Sequence, residues 1–127
     1  MSDAVAMKWL KKAIDNERHA LERARRRFVR KPKEASLHDV RTTGRRFRSL
    51  LEDVEALLPS KRLHRRVKRA AAATDAARDA TIILQLLETS VDAAELQSAH
   101  ELLERLREQE ARATRRACAE LRRICFT

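Results

Sequence analysis

The chain is poor in the residues that break helices. Its 127 residues hold one glycine, Gly44, and two prolines, Pro32 and Pro59. An all-β fold draws on glycine- and proline-rich turns, so this scarcity argues against one. Aromatics are almost as rare: there is no tyrosine, and only Trp9, Phe28, Phe47 and Phe126 carry rings. So few rings cannot fill core seams and also form stacking platforms, which disfavours binding of single-stranded nucleic acid by base stacking. Two cysteines, Cys118 and Cys125, do not make a disulfide framework. On one helix they would stand about 10 Å apart along the axis, too far to bridge, so they are expected to be buried or interface thiols. No window approaches the roughly 18 apolar residues of a membrane span. The first residues lack the apolar run of a signal peptide. A cytoplasmic chain without a membrane partner is expected.

Catalytic and metal-binding patterns are missing too. His19, His38, His64 and His100 form no H-x-x-x-H or E-x-x-H pair. There is no phosphate-binding glycine loop, no nucleophile elbow and no zinc spacing. The paired acids that a metal-dependent phosphotransferase would want beside a basic groove are also missing. A binding or structural protein is expected, with no metal and no cofactor.

What remains is helix-forming and basic. Alanine, leucine, glutamate and arginine dominate, which points to an all-α fold in a single domain over residues 1–127. The net charge is +10, and 22 of the 29 basic residues are arginine. Arginine binds phosphate oxygens through a rigid, multi-donor fork, so the bias favours anionic partners over mere solubility.

Apolar periodicity predicts the helices. Leu10, Ile14, Leu21, Ala24 and Phe28 mark a first helix from Val5 to about Arg30, ended at Lys31-Pro32-Lys33. Ser36, with Asp39 three residues on, fits the cap of a second helix running to about Leu58, although a start at Pro32 or Lys33 also fits. Pro59-Ser60 is a turn. A third segment runs from Lys61 to about Ala73. A break near Thr74-Asp75 precedes a segment from Ala76 to Glu88. Asp92 is a candidate cap for a last helix, Ala93 to about Ile124, with a seam at Leu96, Ala99, Leu103, Leu106, Ala113, Ala117, Leu121 and Ile124. With the two middle segments as one broken arm, the short connections predict an antiparallel four-helix bundle.

The second helix carries the strongest functional signal. His38, Arg41, Arg45 and Arg48 fall at offsets of 3, 7 and 10. That spacing gathers them within an arc of roughly 80°. Val40, Phe47, Leu51, Val54 and Leu58 occupy the opposite arc. Like charges packed so closely repel one another unless an anion sits among them, which points to a polyanion. On the third segment Lys61, His64, Arg65 and Lys68 share one side, opposite Leu63, Val67 and Ala70. Antiparallel neighbours would line one groove with both sets. Arg25, Arg26, Arg27 and Arg30 suit the C-terminal end of the first helix as well as a ligand. Arg78 and Asp79 are expected to bridge to other elements. Gly44, in mid-helix at the edge of the apolar arc, is expected to permit close packing.

These residues carry a resemblance. The segment ASLHDVRTTGRRFRSLL, Ala35 to Leu51, resembles the first signature block of CHAD domains (conserved histidine α-helical domains): a histidine, an arginine three on, a basic pair and a further arginine. Here these are His38, Arg41, Arg45-Arg46 and Arg48. Leu63 to Lys68, followed by Arg78-Asp79-Ala80-Thr81-Ile82-Ile83-Leu84, is similar to the second block. The resemblance implies a helical module that binds inorganic polyphosphate, often at polyphosphate granules. It implies ligand contacts from His38, Arg41, Arg45, Arg46, Arg48, His64, Arg65 and Lys68, to which the basic faces of the third and first helices add Lys61 and Arg27. CHAD domains typically hold two similar four-helix halves around a basic channel, whereas this chain has material for one. A homodimer completing the channel is one expectation, and weaker binding by a single half is the other. The competing readings are a basic nucleic-acid-binding protein and a scaffold bundle whose interface includes Cys118, Cys125 and Phe126.

Overall fold

The computed structural model describes residues 3–92 and 94–126. Four helices follow one another: α1 (Asp3–Arg30), α2 (Glu34–Asp53), α3 (Lys61–Ser90) and α4 (Leu96–Arg122). Side-chain pairs between neighbours fix their directions. Glu17 and Arg27 on α1 meet Arg46 and Asp39 on α2. Glu34, Arg41 and Glu52 on α2 meet Gln85, Asp75 and His64 on α3. Arg69 and Glu88 on α3 meet Glu120 and Arg107 on α4. Each sequence of partners runs in reverse, so successive helices are antiparallel, as the short connections predict. The thiol of Cys118 on α4 donates to the Val29 carbonyl, and Arg25 donates to the Leu121 carbonyl, which returns α4 to α1 and closes an all-α bundle.

The predicted seams build the core. Ile14, Leu21, Ala24 and Phe28 of α1 pack with Leu37, Val40, Phe47 and Leu51 of α2, and with Val67, Ala70 and Ala77 of α3. Phe28, Phe47, Leu21 and Leu51 are fully buried. Side chains of this size each contribute about 1.5–3 kcal/mol through burial. Leu10, Leu58, Leu63 and Ala113 lie at the margin of this core. Leu96, expected in the α4 seam, is half exposed, because it stands on the part of α4 beyond the end of α1. The Glu22 carboxylate anchors the C-terminal segment. It accepts from Arg25, Arg26 and the Phe126 backbone N–H, while Phe126 itself fills the core.

Several local expectations are corrected. The third arm has no break: α3 is continuous through Thr74 and Asp75. The Thr74 hydroxyl donates to the Ala71 carbonyl within the helix, and Asp75 is engaged by Arg41, so these two poor helix formers are held by partners. Ser36 is not the N-cap of α2, which is Lys33, but the third helical residue, and it closes the capping box from inside the helix. Its hydroxyl accepts the Lys33 N–H and donates to the Lys31 carbonyl, so the earlier of the two predicted starts applies. α2 ends at Asp53, and Val54–Leu58 form a tight turn in which Val54 accepts from both Leu57 and Leu58. Asp92 is not the N-cap of α4, which is Glu95; it accepts the Glu95 N–H at 2.9 Å in the turn before the helix, and the predicted start at Ala93 lies outside the described residues. Phe126 and Cys118 are buried within the bundle, which removes them from any interface, while Cys125 is exposed.

Candidate polyanion site between the second and third helices

The antiparallel contact of α2 and α3 places their basic faces along one groove. His38 to Arg48 spans about 15 Å at the helical rise. The rows that face each other follow from the i, i+3, i+4 geometry of each helix. On α2 they are His38, Arg41, Gly44, Arg45 and Arg48. On α3 they are His64, Ala71, Asp75 and Arg78, with Lys68 one turn from both His64 and Ala71 at the groove's edge.

Arg41 is the anchor of the groove. Its side chain is largely buried, and its Nη1 donates to Thr74 Oγ1 at 3.1 Å and to Asp75 Oδ1 at 2.7 Å. Its Nε is buried and has no hydrogen-bond partner. At one end, Glu52 meets both Arg48 and His64. Its Oε1 accepts from Arg48 Nε at 3.0 Å and lies 3.4 Å from His64 Nε2. The Arg48 hydrogen bond, reinforced by His64, outweighs desolvation and holds the Glu52 carboxyl below the usual carboxylate range. At the other end His38 and Arg41 share a recess with Arg78 of α3, and His38 Nε2 lies 3.3 Å from Thr42 Oγ1.

Arg45, Lys68 and Arg78 have no carboxylate partner among the described residues. Three carboxylates border the groove: Asp75 and Glu52, each more than 45% exposed, and the exposed Glu34, which lines the recess of His38 and Arg78 and accepts from Gln85. Asp75 and Glu52 are open to solvent on their outer sides, so a multiply charged anion can compete with them for Arg41 and Arg48. Between Arg41, Arg45 and Arg48 lies a recess of about 170 Å³ with Gly44 in its wall.

The ten residues expected at the ligand divide. His38, Arg41, Arg45, Arg48 and His64 come together along the groove, with Lys68 at its edge. Arg46 does not belong with them: it is turned toward α1, where its Nε donates to Glu17 at 2.9 Å. Arg27 likewise faces the α1–α2 contact and pairs with Asp39. Lys61 lines a separate hollow at the start of α3, with Arg18, Arg62 and Arg66. Arg65 is exposed, about 100° around the helix from His64. His38 stands in the second turn of α2, beyond the free N–H groups of the first. Gly44 does not serve close packing, because a methyl there would meet only Leu21 Cδ1, at an ordinary 3.8 Å. Arg78, expected to bridge, instead lines the groove.

Among the described residues no three His, Cys, Asp or Glu side chains gather in a way that could hold a metal ion, and no helix is long and apolar enough to cross a membrane. Neither a curated protein nor a solved structure matches the chain. The family model of the CHAD domain matches residues 12–124, nearly the whole chain, and the protein therefore belongs to the CHAD domain family.

Proposed function

We propose that the chain is a binding module for inorganic polyphosphate, with no catalytic step of its own. The observation that carries this reading is the pair of cations without a carboxylate partner, Arg45 and Arg78, lining the recesses with Arg41, Arg48 and His38, and joined by Lys68 at the edge on the helix phase of α3. A linear polyanion lying along the groove meets α2 cations on one side and α3 cations on the other. Burial of Phe28, Phe47 and Phe126 supports a bare phosphate chain over nucleic acid, since it removes three of the four rings from any stacking role. Trp9 is exposed but stands on α1, away from the groove. Competition tests the reading. Long-chain polyphosphate should displace bound single-stranded DNA at far lower phosphate concentration than the reverse, and equal or opposite displacement would favour nucleic acid.

The same proposal includes a second copy of the chain. Ile82, Ile83 and Leu86 form an exposed apolar strip on α3, and Ile82 also borders the recess of His38 and Arg78. Pairing of two copies through this strip would set two basic grooves side by side and complete a channel. Sedimentation should show a dimer that Leu86→Glu converts to a monomer, and a monomer at all concentrations of the unaltered chain would exclude it. Association with polyphosphate granules in the cytoplasm is the corresponding cellular expectation.

A further inference from the structure

The recess at Gly44 has a composition that a bare phosphate chain does not explain. Arg41, Arg45 and Arg48 stand at its rim, but much of its lining is apolar: Leu21, Val40, Val67, Ala70 and Ala71. An inorganic phosphate gains nothing from such a floor and would lose hydration against it. A compact apolar group would gain. The volume, about 170 Å³, is close to the roughly 150 Å³ of an apolar protein cavity that takes a benzene ring.

Gly44 adds an independent argument. It is the chain's only glycine and lies in the interior of α2, where glycine is a destabilising choice. Packing does not require it, since a methyl would make only an ordinary contact. Its backbone does not require it either, because no residue with positive φ occurs among those described. What a side chain at this position would take away is space in the recess.

We infer that this recess binds an organic phosphate monoester carrying a ring-sized apolar group. The apolar group rests on the floor beside Gly44 and Ala71, and the phosphate is held at the rim by Arg45 and Arg48. Arg41, kept in place by Thr74 and Asp75, forms the charged wall between them. The inference rests on the polyanion reading only for the anion-binding role of Arg45 and Arg48, and its ligand is of a different class.

Calorimetric titration of the full chain with phenyl phosphate, inorganic phosphate and long-chain polyphosphate tests it. Phenyl phosphate should bind at least about tenfold more tightly than inorganic phosphate. Gly44→Ala should raise the melting temperature and reduce that advantage toward one. Ala71→Leu, which fills the recess from the other helix, should remove the advantage with helicity intact. Equal affinity for the two small phosphates, or an advantage undiminished in Gly44→Ala, overturns the inference. Polyphosphate binding without any advantage for the ester would overturn the recess and spare the groove. A strong preference for the ester without polyphosphate binding would spare the recess and overturn the groove.

Discussion

Arg41 and Asp75 meet across α2 and α3 with 2.7 Å between Nη1 and Oδ1, so the most buried cation of the groove is already engaged by a carboxylate. Asp75 is mostly exposed, and an asparagine there would keep an oxygen to accept from Arg41. The Asp75 carboxylate does compete with a phosphate for the same guanidinium. Asp75→Asn should therefore tighten polyphosphate binding by about two- to fivefold at constant ionic strength, with little change in the unfolding midpoint. Titration calorimetry checks the first effect and thermal unfolding the second. Weaker binding in this variant would mean that Asp75 positions Arg41 more than it competes for it.

Arg45 and Arg46 are neighbours in sequence and face different helices. Arg45 lines the groove without a carboxylate partner, whereas Arg46 is held by Glu17. Arg45→Ala should lower affinity and reduce the slope of log affinity against log salt by roughly one. Arg46→Ala should leave that slope nearly unchanged. Equal loss in both variants, measured by fluorescence anisotropy with labelled polyphosphate, would contradict the assigned faces.

This pair also shows how much of the site is legible in the sequence. A single helix face is legible from periodicity alone, which is why His38, Arg41, Arg45 and Arg48 were found together and their opposite arc proved to be core. Arg46 and Arg27 could be sorted only once α1 was seen to supply Glu17 and to pack Arg27 against Asp39, and that is a tertiary fact. In sequence the adjacent Asp79 makes Arg78 read as a bridging residue; the signal for its place in the groove is its phase with His64 and Ala71, seven residues and more away. The false break at Thr74 came from local propensity, which cannot foresee that Arg41 would bind both Thr74 and Asp75. Ser36 reads as a capping residue in sequence, but its role three residues inside α2 depends on where Lys31 and Lys33 place their backbone groups.

Glu22 is 3% exposed. Burial pushes its carboxyl up, but hydrogen bonds from Arg25, the Phe126 N–H and Arg26 outweigh that and hold it below the usual carboxylate range. A carboxylate with a lowered folded value contributes stability above its unfolded value and loses it as pH falls through the folded one. Glu22→Ala should cost about 3–5 kcal/mol near neutral pH, because Arg25 is left buried without its partner. The difference between variant and unaltered chain should shrink on acidification to about pH 3. Urea unfolding at both pH values measures it, and a pH-independent difference would mean that lost packing, not the ionised carboxylate, accounts for the effect.

Gly44→Ala should stabilise the fold by about 1 kcal/mol, since alanine is the better helix former and meets only Leu21 at 3.8 Å. For a chain of this size that corresponds to a rise of about 4 °C in the melting temperature. A fall would show that the methyl is not accommodated between α1 and α2.

The most direct test of the groove is titration of long-chain polyphosphate at about 50 mM and about 200 mM salt, comparing the unaltered chain with the combined Arg45→Ala, Lys68→Ala, Arg78→Ala variant. These three cations have no carboxylate partner to lose, so helicity should be retained. Affinity of the unaltered chain should fall by roughly two to three orders of magnitude between the two salt concentrations, and the variant should bind weakly with a slope smaller by about three. Salt-independent binding, or a variant that binds as the unaltered chain does, would contradict the assignment of polyphosphate to the α2–α3 groove.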